Sequence, residues 1–181
     1  SYPCAPISKT FTSKWTVANR LKQSTPQLQW RNALSQLMPA KDVYHNAVKQ
    51  ALIKDGWTIL KENYELEYQG DSLYPDFAAQ KSIAATRDKE RILVEVKSFL
   101  GRSFISDLQA TIGQYIMYQE VVKVQSLDFK LYLAIPADLY HNNFQTPLAQ
   151  LMLQKAQINL LVFDPAQEVI QQWINSTTTE A

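Results

Sequence analysis

The feature that most constrains this chain is an apolar strand that carries two opposite charges. Residues 92–98 form a run rich in β-branched side chains, which is typical of a strand. Because side chains alternate across a strand, Glu95 and Lys97 point to the same face. Leu93 and Phe99 share that face, and the opposite face carries apolar side chains alone: Ile92, Val94 and Val96. An unpaired charge among hydrophobic neighbours is costly, so these two charges require a partner or a function.

A second carboxylate, that of Asp76, precedes Glu95 by 19 residues. We predict that residues 73–80 form the neighbouring strand of a hairpin, with a solvated tip at residues 86–90. Pairing of the two strands would bring Asp76, Glu95 and Lys97 together at one end of a sheet. The ordinary alternative is that Asp76 is a strand-end residue and that Glu95 and Lys97 are a solvated pair.

Two carboxylates that converge with one lysine suit a divalent cation and an attacking water. Mg²⁺ prefers oxygen ligands and is usually held by one or two carboxylates together with substrate phosphate oxygens. The cation lowers the pKa of water and neutralises charge at phosphorus. Lys97 would orient that water or help to deprotonate it.

This pattern resembles the motif of the PD-(D/E)XK nuclease superfamily, which here consists of Pro75-Asp76 and Glu95-Val96-Lys97. The resemblance implies an α/β fold of the restriction-endonuclease-like kind, a mixed β-sheet flanked by helices. It also implies that Asp76 and Glu95 bind Mg²⁺ or Mn²⁺ and that the backbone carbonyl of Val96 is a further ligand. Lys97 is then a catalytic residue.

The same resemblance points to two residues outside the motif. Gln114 lies on the helix after the central strand, where nucleases of the superfamily often place a glutamine near the site. It shares a helix face with Tyr118, and a plain polar stripe is the alternative. His45 lies eleven residues before Gly56, about where resolvase-like members carry a metal-binding glutamate. We predict that His45 contributes to the metal site, and a histidine on the surface or behind the ligands is the alternative.

A longer part of the chain, from Met38 to about Asn175, resembles the XisH family, the fdxN element excision controlling factors of cyanobacteria. The segments that carry this resemblance lie at residues 38–42, 45–57, 94–101 and 113–115. They include Met-Pro-Ala-Lys-Asp, Val-Glu-Val-Lys-Ser-Phe-Leu-Gly and Gly-Gln-Tyr. The resemblance implies action on DNA during the excision of an element, alongside a site-specific recombinase and a protein partner called XisI.

The charge of the chain is distributed unevenly. Residues 1–37 contain five basic residues and no acidic one, and the basic residues are Lys9, Lys14, Arg20, Lys22 and Arg31. The rest of the chain holds 13 basic and 17 acidic residues, a net charge of −4, which argues against DNA binding by charge alone. We predict an arm at 1–37 that either contacts DNA phosphates or has no function, one domain at 38–175 and a frayed tail at 176–181.

Cysteine content and hydropathy indicate a cytoplasmic protein without a membrane span. Cys4 is the single cysteine, which rules out an internal disulfide and agrees with a reducing compartment. No run of 18 or more apolar residues occurs. The sequence does not fix the oligomeric state and is compatible with a homo-oligomer.

Apolar periodicity and turn residues predict a layered α/β domain. We predict helices at 42–55, from Ser103 or Ser106 to 122, and at 147–157, and strands at 57–60, 73–80, 91–98, 130–135, 158–163 and 168–174. Gly113 interrupts the second helix at a cost of roughly 1 kcal/mol relative to alanine, and close packing against the sheet is one compensation. Tyr64, Tyr68 and Tyr74 could stack on bases, although tyrosines in strands more often belong to a core.

These features predict an endonuclease-like factor that processes DNA during excision or rearrangement, with metal-dependent phosphodiester hydrolysis if it is catalytic. The main alternative is an accessory factor of site-specific recombination that binds DNA or an XisI-like protein without cutting. A structural partner with a vestigial site is the third interpretation.

Overall fold

A computed structural model describes residues 40–82 and 89–176, with side chains from residue 44 onward. The chain divides into two units, Ser1–Met38 and Pro39–Ala181, and all described residues belong to the second. The predicted arm at 1–37, with Cys4, lies outside the described residues, as do the tail beyond residue 176 and residues 86–88 of the predicted hairpin tip. The predicted domain limits therefore stay a prediction.

Five strands separate the first two helices of the described chain. The first helix, α1, spans Ala40–Lys54, and the long helix α2 spans Phe104–Val124. Two short helices follow, α3 at Ala137–Asn142 and α4 at Pro147–Lys155. The strands are β1 at Thr58–Glu62, β2 at Leu66–Tyr68, β3 at Asp71–Leu73, β4 at Phe77–Ser82, β5 at Lys89–Val96, β6 at Lys130–Pro136, β7 at Leu160–Asp164 and β8 at Val169–Ile174.

Six of these strands form one mixed sheet in the order β1-β4-β5-β6-β7-β8. The pairs β5–β6 and β6–β7 are parallel, and the other three pairs are antiparallel. Strands β2 and β3 form a separate antiparallel pair. The predicted fold class, a mixed β-sheet flanked by helices, is confirmed.

Each face of the sheet is covered by apolar side chains from a different helix. On one face, Val48 and Leu52 of α1 pack against Ile92 and Val94 of β5. On the other face, Tyr115 of α2 packs with side chains that include Leu93 and Leu133. The predicted alternation along the central strand is therefore confirmed, and the strand is buried on both faces.

The limits of several predicted strands differ from those in the structure, and two of the differences concern the predicted site. The strand predicted at 73–80 is interrupted, because β3 ends at Leu73 and β4 begins at Phe77. Asp76 thus lies directly before a strand and not within one, since Pro75 has no N–H to contribute to a ladder. Strand β5 ends at Val96, which leaves Lys97 as the first residue after it.

Helix α3 was not predicted at all. It is six residues long and follows directly after β6. A helix of this length contains too few turns for an apolar periodicity to be visible in the sequence. Within the described residues, none of the helices combines the length and the apolar character that crossing a membrane requires.

Candidate functional site

Asp76 is fixed at the end of the sheet by the backbone on both sides of it. Glu62 pairs with Phe77 in the β1–β4 register, and beyond that pair the N–H of Asn63 donates to the Asp76 carbonyl at 2.8 Å. The Asp76 side chain is 0% exposed, and its Oδ2 accepts the backbone N–H of Val96 at 2.8 Å. This last bond ties the Asp76 carboxylate to the end of β5, beside Glu95.

Glu95 and Lys97 contact each other at the same end of the sheet. The Lys97 Nζ lies 2.9 Å from the Oε1 of Glu95, whose side chain is almost fully buried. The backbone N–H of Lys97 donates to the carbonyl of Ala134 at 3.0 Å, which holds this residue against β6 although it follows β5. The convergence of Asp76, Glu95 and Lys97 that the sequence predicts is present, and we call the first two the acid pair.

Helix α2 places a buried hydroxyl against the acid pair. Burial raises the pKa of Tyr118, and the charge of Glu95, to which the hydroxyl donates, raises it further. Tyr118 is therefore a neutral donor to the carboxylate. The Nε2 of Gln114 in turn donates to the Tyr118 hydroxyl at 2.5 Å, so Gln114 acts on Glu95 through Tyr118. No role was predicted for Tyr118, and the four-residue spacing from Gln114 was the signal that could have given one.

Helix α1 places charged groups on the other side of Asp76. The His45 Nδ1 lies 3.2 Å from the Oδ1 of Asp76, and its Nε2 lies 2.9 Å from the Oε2 of Glu62. The Lys49 Nζ donates to the other oxygen of Glu62 at 2.5 Å. The ring of His45 also stacks on Phe77, with centroids 4.2 Å apart. A neutral imidazole has one N–H, so only the imidazolium can donate to both carboxylates at once.

Sequence reasoning missed Glu62 as a member of this network. Its place depends on how α1 crosses β1, which no local pattern encodes. The hydrogen bond from Lys49 is the largest cause that lowers the pKa of Glu62, and the hydrogen bond from His45 lowers it further. Glu62 is thus held as a carboxylate between two basic side chains.

A groove of about 340 Å³ opens beside the acid pair. Its lining includes Lys97, the loop at residues 98–101, and Gln114 of α2. The N–H of Gly101 donates to the Oδ2 of Asp107 at 2.8 Å, which fixes the loop against the first turn of the helix. An added Cβ at Gly101 would collide with that carboxylate, so a larger residue here would displace the Asp107 side chain. Of the converging residues Asp76, Glu95 and Lys97, it is Lys97 that lines this groove.

Comparison with known proteins identifies the family. The family model described as XisH protein matches residues 38–171, most of the chain. The chain belongs to the XisH family. It is similar to an XisH family protein from Nostoc punctiforme PCC 73102 and to a fdxN element excision controlling factor protein from Anabaena variabilis. Each solved structure has 39% identity and a TM-score of 0.66, and the match covers 74% of this chain and 99% of the other. No curated protein matches the chain.

The donor set of this XisH family member fits a hydrated divalent ion better than a cage of side chains. Within residues 40–82 and 89–176, no group of three or more His, Cys, Asp and Glu side chains could hold a metal ion. The acid pair nevertheless supplies two carboxylates, which is what Mg²⁺ usually takes from a protein while it keeps several waters. Both ring nitrogens of His45 contact carboxylates. Its role as a ligand, like that of the Val96 carbonyl, stays a prediction.

Proposed function

We propose that this XisH family protein hydrolyses DNA phosphodiester bonds with the help of a divalent cation, as part of the excision or rearrangement of a DNA element. The observation that supports this best is the buried acid pair with Lys97 in contact with Glu95 at the edge of an open groove. Buried carboxylates are rare without a partner or a function. The similar Anabaena variabilis protein is described as a fdxN element excision controlling factor, which gives the proposal its biological setting.

The chain's own residues have separate tasks in this proposal. Asp76 and Glu95 hold the cation, which when bound supplies an acidified water and neutralises charge on the phosphate. Lys97 orients the attacking water at the mouth of the groove and offsets charge on the phosphate oxygens. Tyr118 fixes the rotamer of Glu95 through its hydroxyl. These roles are those of a PD-(D/E)XK nuclease, and action on DNA places the protein in the cytoplasm.

A second candidate function is an accessory factor that binds DNA without cutting it. The observation that favours it is the engagement of both oxygens of Asp76, one by His45 and one by the N–H of Val96. In this proposal His45 of α1 and the N–H of Val96 occupy the oxygens of Asp76, so that the acid pair does not bind a cation. The protein then acts through an XisI-like partner or a site-specific recombinase. The basic residues of the segment 1–37 would then supply contacts to phosphates.

A cleavage assay separates these two functions. The purified chain is incubated with end-labelled single-stranded, duplex and branched DNA in Mg²⁺, in Mn²⁺ and in a chelator. We expect cutting in the presence of a cation, none in the chelator and none by Lys97→Ala. If none of the DNA forms is cut under any cation while DNA is still bound, the accessory function replaces the nuclease.

A further inference from the structure

A second groove, of about 530 Å³, lies between the end of β3 and the middle of α2. It shares Ala110 and Gln114 with the groove beside Lys97, so the two openings adjoin along α2. Tyr118, which donates to Glu95, also lines it. A ligand that occupies this second groove therefore lies next to the acid pair.

Gly113 lines this groove, and packing among the described residues does not explain why this position is a glycine. A glycine in a helix interior destabilises the helix relative to alanine. The close packing against the sheet that we predicted as compensation is wrong, because among the described residues no atom lies within 4 Å of an added Cβ. Gly113 is exposed and lines the groove. A bare stretch of helix backbone on a groove wall permits the close approach of a ligand.

Tyr74, which directly follows β3, lines the same groove. Its side chain is 49% exposed, although its hydroxyl donates to the Oε1 of Glu65 at 3.1 Å. The hydroxyl of Ser72 donates to the same oxygen at 2.8 Å. These bonds fix the position of the ring and leave its surface accessible. A fixed, accessible aromatic ring is the type of platform on which an unpaired base stacks.

The chemistry of the groove lining suits a base and not a phosphate. Among the described residues that line it, none is Lys, Arg, Asp or Glu. The lining instead combines the apolar Met117 with the amides of Gln109 and Gln114. Bases that are out of the helical stack are recognised by stacking on flat side chains and by hydrogen bonds to their edges. The basic group, Lys97, belongs to the neighbouring groove, where a phosphate would lie.

We propose that this groove binds one unpaired nucleobase of a DNA strand, between the Tyr74 ring and the backbone at Gly113. The inference rests on the proposed action on DNA and specifies its substrate. The site takes single-stranded or branched DNA, in which a base beside the bound phosphate is free to leave the stack. A continuous duplex offers such a base only after it has been unpaired.

Binding of labelled oligonucleotides in a chelator tests this proposal without cleavage. The probes are a single-stranded DNA and the same strand with abasic positions, and fluorescence anisotropy gives the dissociation constants. We expect Tyr74→Ala to weaken binding of the intact strand about tenfold, in line with the loss of one stacked base. Tyr74→Phe keeps the ring and should retain most of the affinity. Leu151→Ala, which removes a 46% exposed side chain from α4 outside the groove, is the control and should bind as the wild type does.

Gly113→Ala gives the sharpest result, because its two expected effects have opposite signs. The melting temperature should rise, since alanine favours the helix and the added methyl meets no described atom. Binding of the intact strand should nevertheless weaken by several-fold, and the preference over the abasic strand should disappear. The higher melting temperature excludes misfolding as the cause.

The proposal is overturned if Tyr74→Ala and Gly113→Ala keep the wild-type affinity and the wild-type preference for the intact strand. It is also overturned if the wild type does not bind the intact strand more tightly than the abasic one. Neither outcome depends on cutting. Loss of the nuclease function would leave the binding preference intact, so the two failures are distinguishable.

Discussion

The two sides of the acid pair are built from opposite kinds of side chain. On the α1 side, defined here by His45, Lys49 and Glu62, charged groups contact one another and reach Asp76. On the α2 side, defined by Gln114 and Tyr118, the groups are neutral: Gln114 donates to the Tyr118 hydroxyl, which donates to Glu95. Both grooves that adjoin the acid pair are lined by Gln114 of the α2 side.

This difference indicates that the two sides of the acid pair have different roles. The α1 side contacts the Asp76 carboxylate, which is 0% exposed, and offsets the cost of burying its charge. It therefore serves mainly to stabilise the folded protein. The α2 side adds neutral groups around the Glu95 carboxylate, which also contacts Lys97, and it borders both of the grooves described above. Substitutions on the α1 side should therefore be detected first in stability, and those at the grooves first in function.

The largest expected effect is on catalysis and comes from the lysine at the groove. Lys97→Ala should lower the rate of cation-dependent DNA cutting by at least about 100-fold, the scale of a missing acid–base group. Lys123→Ala, which removes an exposed lysine of α2 that pairs with Glu120 at 3.9 Å, is the control. Rates are compared by single-turnover cleavage. A Lys97→Ala protein as active as the Lys123→Ala protein would remove Lys97 from the mechanism.

The next effect is on stability and compares one residue from each side. His45→Ala should reduce the free energy of unfolding by about 1–3 kcal/mol, because the buried Asp76 carboxylate loses a donor. Gln114→Ala should cost less than about 1 kcal/mol, since a partly exposed amide is replaced by a better helix former. Urea unfolding in a chelator at neutral pH measures both. Equal losses, or a larger loss for Gln114→Ala, would contradict the division between the two sides.

The smallest effect concerns the pH dependence of the α1 side. Hydrogen bonds from Lys49 and His45 lower the pKa of Glu62, so its stabilising effect is present above the ordinary value of 4.5 and is lost as pH falls below it. The stability difference between wild type and Glu62→Gln should be below about 1 kcal/mol at neutral pH, because the pair is partly exposed. It should shrink towards acid pH.

The same comparison in a Lys49→Met background tests the cause of that dependence. Lys49 is the first contributor to the shift, so the effect of the Glu62→Gln substitution on stability should be smaller without it. An effect of Glu62→Gln that is the same at all pH values, with and without Lys49, would show that the Glu62 carboxylate does not stabilise the α1 side. Thermal unfolding across the acid range provides the measurement.

The sequence predicted those parts of the fold that depend on local periodicity. The alternation of Leu93 and Glu95 with Val94 identified the two faces of the central strand. The helix predicted at 42–55 ends at Lys54, and the positive φ of 87° at Gly56 agrees with a chain that leaves the helix there. The convergence of Asp76 with Glu95 followed from the expected pairing of neighbouring strands, although Asp76 precedes its strand.

The remaining parts of the site depend on tertiary packing. Contact between His45 and Glu62 requires a particular crossing of α1 over β1, and 17 residues separate the two in the chain. The surroundings of Gly113 could not be predicted either, because an exposed glycine and a tightly packed one look the same in a sequence. Assigning a role to Tyr118 required knowing which face of α2 meets the sheet.

Calorimetric titration of Mg²⁺ and Mn²⁺ tests most directly whether the acid pair binds a divalent cation. We expect that the wild type binds the cation specifically, that Asp76→Asn does not, and that Asp128→Asn, which alters an exposed carboxylate before β6, binds as the wild type does. Equal binding by the wild type and Asp76→Asn, or no binding by the wild type, would contradict cation binding by the acid pair.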